Sequence, residues 1–318
     1  MRVVVTGAAG LIGFHLCERL LAEGHEVIGV DSLVTGQARN VDDLSRCDRF
    51  RFIRQDILEP LDLSGPIDRI FNLACPASPV DFRPLAVAIL RTCSEGVRNM
   101  LELARRTGAR FLHASTSECY GDPLEHPQRE TYFGHVNPIG IRSPYDEGKR
   151  FAESLVMAYH RTYGLPVGIV RIFNTYGPRM RVNDGRVLPN FILQALRNEP
   201  LTVYGDGSQT RSFCYVTDLV EGIIRRAESD YAEPINLGNP VEITILQAAQ
   251  DVIALAGSRS RIEFHPLPAD DPRKRKPDIT RARQILGWEP TTPHREGFAR
   301  TIEHFRSLIA RDPSFPVS

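Results

Sequence analysis

Arg2-Val3-Val4-Val5-Thr6-Gly7-Ala8-Ala9-Gly10-Leu11-Ile12-Gly13 joins a β-branched run, a glycine turn and the start of an apolar-periodic segment. The run predicts a buried strand, and Leu16, Leu20 and Leu21 predict a helix directly after the turn. A glycine-rich turn between strand and helix lets a pyrophosphate approach the backbone and rest on the helix N-terminus. The spacing is Gly-x-x-Gly-x-x-Gly, and an acid, Asp31, ends the next strand, Glu26 to Asp31. Gly7, Gly10, Leu11, Ile12 and Gly13 are therefore candidate dinucleotide-binding residues. A carboxylate at Asp31 would accept hydrogen bonds from an adenosine ribose and repel a 2′-phosphate, which favours NAD over NADP. The alternative is an ordinary turn aspartate.

Working outward, strands are expected at Phe50 to Arg54 and Arg69 to Leu73, with Asp56 and Ile57 placed to meet an adenine. Two prolines in Asn72-Leu73-Ala74-Cys75-Pro76-Ala77-Ser78-Pro79 stop the second strand and force an extended loop. A long helix over about Leu85 to Thr107 precedes a strand at Ala109 to Ala114, and Val167 to Ile172 makes another. The fold class is α/β: a Rossmann-like, doubly wound parallel sheet with a smaller α/β C-terminal lobe for substrate. The expected boundary is discontinuous, with residues 1–174 and about 213–239 in the first lobe. About 175–212 and 240–318 form the second.

Ligands in such a sheet bind beyond the C-terminal ends of the strands. The stretch delivered there is Ser115-Thr116-Ser117-Glu118, followed after a polar loop by Ser143-Pro144-Tyr145-Asp146-Glu147-Gly148-Lys149. Tyr145 and Lys149, four apart before an apolar-periodic run, share one helix face, with Ser143 as expected N-cap. Tyr-x-x-x-Lys also arises by chance; its weight comes from the dinucleotide signature before it. A free tyrosine has a pKa near 10, and lowering it to about 7 takes roughly 4 kcal/mol. One ammonium at about 4 Å supplies most of that at an effective dielectric of about 20. Thr116 would hold a substrate hydroxyl against the phenolate. Glu118 would reach the same pocket if the strand continues, because i and i+2 share a face.

Arg179, Arg186 and Arg211 sit among glycines, polar residues and turns, and are the anion-handling candidates of the second lobe. The turn from Tyr204 through Gln209 to Arg211 offers backbone donors and a guanidinium to a diphosphate. The run Asp270 to Asp278 reads by itself as a solvated loop. Across the 318 residues, 39 lysines and arginines balance 39 aspartates and glutamates, so no basic field invites nucleic acid or an anionic membrane. Six scattered cysteines show no metal-ligand spacing and are expected to be buried thiols; no metal is expected. The strand at residue 2 leaves no room for a signal peptide, and no apolar run approaches the roughly 20 residues that span a bilayer. A cytoplasmic location is expected.

With these residues laid out, the chain resembles the extended short-chain dehydrogenase/reductases over its length, and within them the UDP-glucuronate decarboxylases (UDP-xylose synthases). Leu73 to Pro79, Ser115 to Glu118, Tyr145 to Arg150, Asn174 to Met180, Gln209 to Tyr215 and Asp270 to Asp278 carry the resemblance. It implies that Thr116 and Tyr145 engage the sugar C4 hydroxyl, with Lys149 lowering the Tyr145 pKa. Oxidation at C4 by NAD makes the sugar a β-keto acid, which loses carbon dioxide before the same hydride returns to C4. Glu118 and Arg275 would place the carboxylate and manage C5 protonation. The resemblance assigns Leu73, Ala74, Tyr145 and Lys149 to the cofactor. It assigns Pro76, Ala77, Ser78, Asn174, Arg179, Arg186, Asn190, Tyr204, Gln209, Arg211 and Arg275 to the UDP-sugar. It also implies a homodimer built from the helices beginning near Leu85 and Tyr145.

Ser117 stands where related nucleotide-glucose 4,6-dehydratases carry an acid, so dehydration is disfavoured. Val80 to Ala86, Cys93 and Phe133 depart from the usual decarboxylase pattern. Two other readings stay open at this point: a nucleotide-sugar 4-epimerase using the same tyrosine, and a non-catalytic NAD-sensing protein.

Overall fold

The computed structural model describes residues 1–266 and 274–311. Strand β1 (Arg2–Thr6) leads through the glycine turn into helix α1 (Leu11–Ala22). It is followed by β2 (Glu26–Asp31), β3 (Phe50–Arg54), β4 (Arg69–Asn72), β5 (Arg110–Thr116) and β6 (Val167–Ile172). With the strand Pro234–Leu237 they form one seven-stranded parallel sheet. The order is Pro234–Leu237, β6, β5, β4, β1, β2, β3. The direction of winding reverses between β1 and β4, and the crevice beyond their C-terminal ends is where such sheets bind ligands.

The valines of β1 are fully buried and divide between the two faces. Val3 and Val5 join the core under α1 and the helix Val216–Glu228, while Val4 joins the opposite core. That is the two-residue alternation of a strand covered on both sides. Each fully buried aliphatic side chain of this kind contributes about 1.5–3 kcal/mol.

The long segment expected at 85–107 is helical, but not uniformly. Ala86–Arg91 and Val97–Thr107 are α-helical, and Thr92–Gly96 between them is a π-turn. Cys93 on this turn lies against Gly148 of the helix Ser143–Tyr163, where an added Cβ would stand 3.2 Å from its Cβ and Sγ. The extra residue of the π-turn and the bare backbone of Gly148 bring the two helices together directly behind the site.

A third core lies among the helices Val187–Arg197, Ile245–Ala256 and His294–Arg311. Small sheets flank it: Leu201–Tyr204 pairs with Ile262–His265, and Thr210–Ser212 with Glu242–Thr244. One part of the expected second lobe packs elsewhere. Ile279, Ala282, Leu286 and Trp288 lie in the core under the main sheet. The indole N–H of Trp288 donates to Asp218 O at 2.9 Å, which ties this segment to the helix Val216–Glu228. No helix among the described residues is long and apolar enough to cross a membrane.

Candidate active site

A cavity of about 650 Å³ runs from the glycine turn, across the ends of β1, β4 and β5, to the second lobe. Gly7, Gly10, Leu11, Ile12 and Gly13 line one end. Gly7 has φ of +73°, a backbone region that disfavours side chains. A Cβ on Gly13 would fall 2.0 Å from the Gly7 carbonyl oxygen, so α1 can start this close to β1 only with glycine there. No side chain caps α1 at Gly10, which leaves its N-terminus facing the cavity with the partial positive charge that suits a pyrophosphate. Asp31 accepts from Ala9 N at 3.0 Å and Leu33 N at 2.8 Å, which fixes its carboxylate beside the turn. Burial pushes its pKa up, against those two bonds. A bare glycine cradle, an uncapped helix end and an oriented acid fit a dinucleotide.

Leu73 lines the cavity, and Ala74 beside it donates its N–H to Thr6 Oγ1 at 3.1 Å. Asp56, Ile57 and Asp31 are not in the cavity wall. Ile57 is buried against Gly96 of the π-turn, and Asp56 accepts from Leu58 N at 3.0 Å.

Thr116, Glu118, Tyr145, Lys149 and Arg275 converge on the middle of the cavity. The strand does not continue to Glu118. β5 ends at Thr116, whose hydroxyl accepts the Glu118 N–H at 3.2 Å and so caps a short 3₁₀ turn, Ser117–Tyr120. The turn still aims Glu118 inward. Beneath it, Ser115 Oγ donates to Glu153 at 2.6 Å, and Arg171 holds Glu153 through two bonds of 2.8 and 2.7 Å. This partly buried network fixes the end of β5.

The helix carrying Tyr145 begins at Ser143, with Arg142 in the cap position and no side-chain capping bond, so Ser143 is not the N-cap. Pro144, in the first turn, has no N–H to satisfy and suits that position. Tyr145 stacks on Phe82, with ring centroids 4.8 Å apart and planes 17° from parallel. Lys149 Nζ donates to Ala114 O at 2.7 Å and stands 5.9 Å from the Tyr145 ring centroid. Burial pushes the Tyr145 phenol well above its ordinary value, helped by Cys75, while a hydrogen bond with Thr116 works the other way. In the protein alone, burial therefore outweighs the expected lowering. Cys75 and Cys93 lie with sulfurs 3.7 Å apart next to this group. Their hydrogen bond, aided by Lys149, draws the Cys75 thiol down to about 7 against burial, and Cys93 is pushed up. Cys75 and Cys47 are only half-buried, unlike the other four thiols.

Arg275 is 2 % exposed and donates to Ser117 O at 2.5 Å and to Glu118 Oε2 at 3.2 Å. Arg142, which the sequence reading missed, donates to the same Oε2 at 2.5 Å and lies over Phe82. Burial raises the Glu118 pKa, but Arg275 and Arg142 outweigh it and keep the carboxyl below its ordinary value. The signal for Arg142 was its place directly before Ser-Pro-Tyr.

Toward the second lobe, Ala77, Ser78, Asn174, Arg186, Asn190, Tyr204, Gln209 and Arg211 all line the cavity. Ser78 Oγ donates to Asp184 O, and Arg186 is paired with the Asp184 carboxylate. Pro76 and Arg179 are not in the wall. Arg179, with φ of +72°, turns to Asp43 at 2.5 Å and covers the Phe14 ring at 4.4 Å. Of the charged run, Asp270 to Arg273 lie outside the described residues.

Residues 3–238 match the model of the NAD dependent epimerase/dehydratase family. The chain is 54 % identical over 312 residues to UDP-glucuronic acid decarboxylase 1 of Arabidopsis thaliana, covering 98 % of this chain and 71 % of that one. It is 52 % identical over 304 residues to UDP-glucuronic acid decarboxylase 1 of Danio rerio, covering 96 % and 72 %. Among solved structures, it resembles a UDP-glucuronic acid 4-epimerase from Bacillus cereus in complex with UDP-glucuronic acid and NAD. The TM-score is 0.88 and the identity 30 %, over 97 % of this chain and 100 % of that one. A UDP-glucose 4-epimerase with UDP-glucose from Thermotoga maritima also gives a TM-score of 0.88, at 29 % identity over 97 % and 100 %.

Proposed function

The chain belongs to the NAD dependent epimerase/dehydratase family, and from its likeness to the UDP-glucuronic acid decarboxylases we propose that it converts UDP-glucuronate to UDP-xylose and carbon dioxide. NAD is its cofactor; Gly7, Gly10, Gly13 and Asp31 would hold it, and it would supply a hydride acceptor for sugar C4 and a ring charge that favours a phenolate at Tyr145. The observation that carries the reading is the Glu118–Arg275–Arg142 cluster beside Thr116 and Tyr145. A sugar oxidised at C4 and carrying its carboxylate on C5 needs both a base and cations in this place.

Thr116 and Tyr145 hold the C4 hydroxyl, and Tyr145 takes its proton as C4 is oxidised. Lys149, anchored on Ala114 O, keeps a positive charge near the phenol. The C5 carboxylate is then β to a ketone, and breaking the C5–C6 bond leaves its electron pair as an enolate. Arg275 and Arg142 lie within reach of that charge, and fixed donors in a water-poor site stabilise it without reorganisation. Tyr145 finally gives its proton back to the C4 oxygen. Arg186, Arg211, Tyr204 and Gln209 suit the diphosphate and nucleoside, and Arg186 is paired with Asp184 and so held in place.

A 4-epimerase is the second reading, favoured by the structural likeness to the UDP-glucuronic acid 4-epimerase. It gives Arg275 no bond-breaking role. Incubation with UDP-glucuronate separates the two: carbon dioxide and a pentose product are expected, and a product of unchanged mass would contradict the decarboxylase.

The assembly we propose is a homodimer. Val87, Leu90 and Phe151 are exposed apolar residues on the adjacent helices Ala86–Arg91 and Ser143–Tyr163. A second copy laid across these helices would bury them. Light scattering should give twice the chain mass, and a stable monomer would refute this arrangement.

A further inference from the structure

The decarboxylase reading, on which this inference rests, leaves one proton to be found. The proton that Tyr145 removes from the C4 hydroxyl returns to the C4 oxygen, so Tyr145 is unchanged over a cycle. Forming the new C5–H bond uses the enolate electron pair and one further proton from solvent. Glu118 adjoins this carbon in the proposed arrangement. Its arginine neighbours hold it ionised, which makes it a poor store for that proton.

Behind Glu118 lies a second cavity of about 240 Å³, which shares Glu118, Arg142 and Arg275 with the first. It reaches the exposed residues Asp122 and His135, and it has room for several waters. Its buried wall carries Asp146, one residue beyond Tyr145 and so turned to a different helix face. Asp146 is 6 % exposed, and its Oδ1 is buried with no hydrogen-bond partner. The charges around it are Glu118 on the 3₁₀ turn, Arg142 and Glu147 near its own position, and Arg275 from the C-terminal segment. Burial first, and then Glu118, push its carboxyl up to about 7 against the two arginines. It can therefore hold a proton near neutral pH while Glu118 cannot.

We propose that the second cavity supplies the C5 proton, with Asp146 giving it through cavity water, past Glu118, to the enolate carbon. The enolate pair becomes the C5–H bond, the C4 ketone is restored, and Asp146 is left as a carboxylate. Solvent at the Asp122 and His135 end returns its proton.

The test compares wild type, Asp146→Asn, Asp146→Glu and Val136→Phe as NAD-loaded enzymes acting on UDP-glucuronate in D₂O. Val136→Phe adds bulk to the cavity lining and leaves the Asp146 carboxyl unsubstituted. In wild type, deuterium should enter C5 with one configuration, and the rate should fall as pH rises through about 7 when C5 protonation limits it. Asp146→Asn should form UDP-xylose about 10–100-fold more slowly, in the range of a lost general acid, and lose that pH limb. It should release a 4-keto pentose with deuterium on both faces of C5, while single-turnover C4 oxidation stays near wild type. Asp146→Glu should restore the limb. Val136→Phe should lower the rate and release the 4-keto pentose, and it decides the matter if Asp146→Asn does not fold. Equal loss of C4 oxidation and product formation in Asp146→Asn, or an unchanged limb and C5 configuration in that variant, would overturn the proposal, as would a Val136→Phe enzyme with the wild-type rate and no released 4-keto pentose. If wild type itself releases no carbon dioxide, it is the decarboxylase reading that falls.

Discussion

Tyr145→Phe is expected to lower turnover of UDP-glucuronate by about 10²–10⁴-fold, the usual contribution of a positioned acid–base group. The substitution removes the phenol oxygen assigned to take the C4 proton and leaves the ring. That ring is buried against Phe82 in a stacked arrangement, so the pocket wall keeps its shape. Binding of NAD and UDP-sugar, measured by calorimetry, should therefore change little while product formation collapses. A variant within tenfold of wild type would mean that another group removes the proton. It would also revive the reading of the protein as a non-catalytic NAD sensor.

The second large effect is expected at Arg275→Ala. Arg275 is buried and supplies one of the guanidinium groups facing Glu118. Removing one partner of a buried charge pair costs about 3–5 kcal/mol; with Arg142 still in place, the lower end is expected. The sign with pH follows from Glu118. Its folded pKa is depressed, so its contribution is present above the unfolded value near 4.3 and is lost as pH falls through the folded value. Urea unfolding should thus show the full gap between wild type and variant at pH 7 and a narrowing gap below about pH 4. Carbon dioxide release should fall much further than NAD affinity. Equal losses in the two would count against a role for Arg275 at the sugar carboxylate.

Much of this arrangement was legible because the sequence features that make it are local. The glycine turn, the β-branched strands and the Tyr145/Lys149 spacing each act within a few residues, and the structure follows them in the sheet and the cavity. What was hidden depends on contacts distant in the chain. Trp288 reads like part of the second lobe until its N–H is seen on Asp218, 70 residues away. Arg179 reads as a phosphate ligand until Asp43, 136 residues earlier, is found beside it. The 3₁₀ turn at Glu118 was missed for a local reason. A threonine hydroxyl that caps its own backbone competes with continuation of the strand, and alternation of residue types does not reveal which wins. The π-turn at Thr92–Gly96 is equally silent, since one extra residue shifts the apolar pattern only slightly.

The central claim is that C4 is oxidised and re-reduced by one retained hydride on either side of carbon–carbon cleavage. The direct test uses UDP-glucuronate deuterated at C4, with carbon dioxide release measured beside NMR of the product. The expected product is UDP-xylose with the deuterium still at C4, one mole of carbon dioxide per mole of sugar, and a single new hydrogen at C5 from solvent. Loss of the C4 label during turnover, or a labelled product that still carries its carboxylate, would contradict the account.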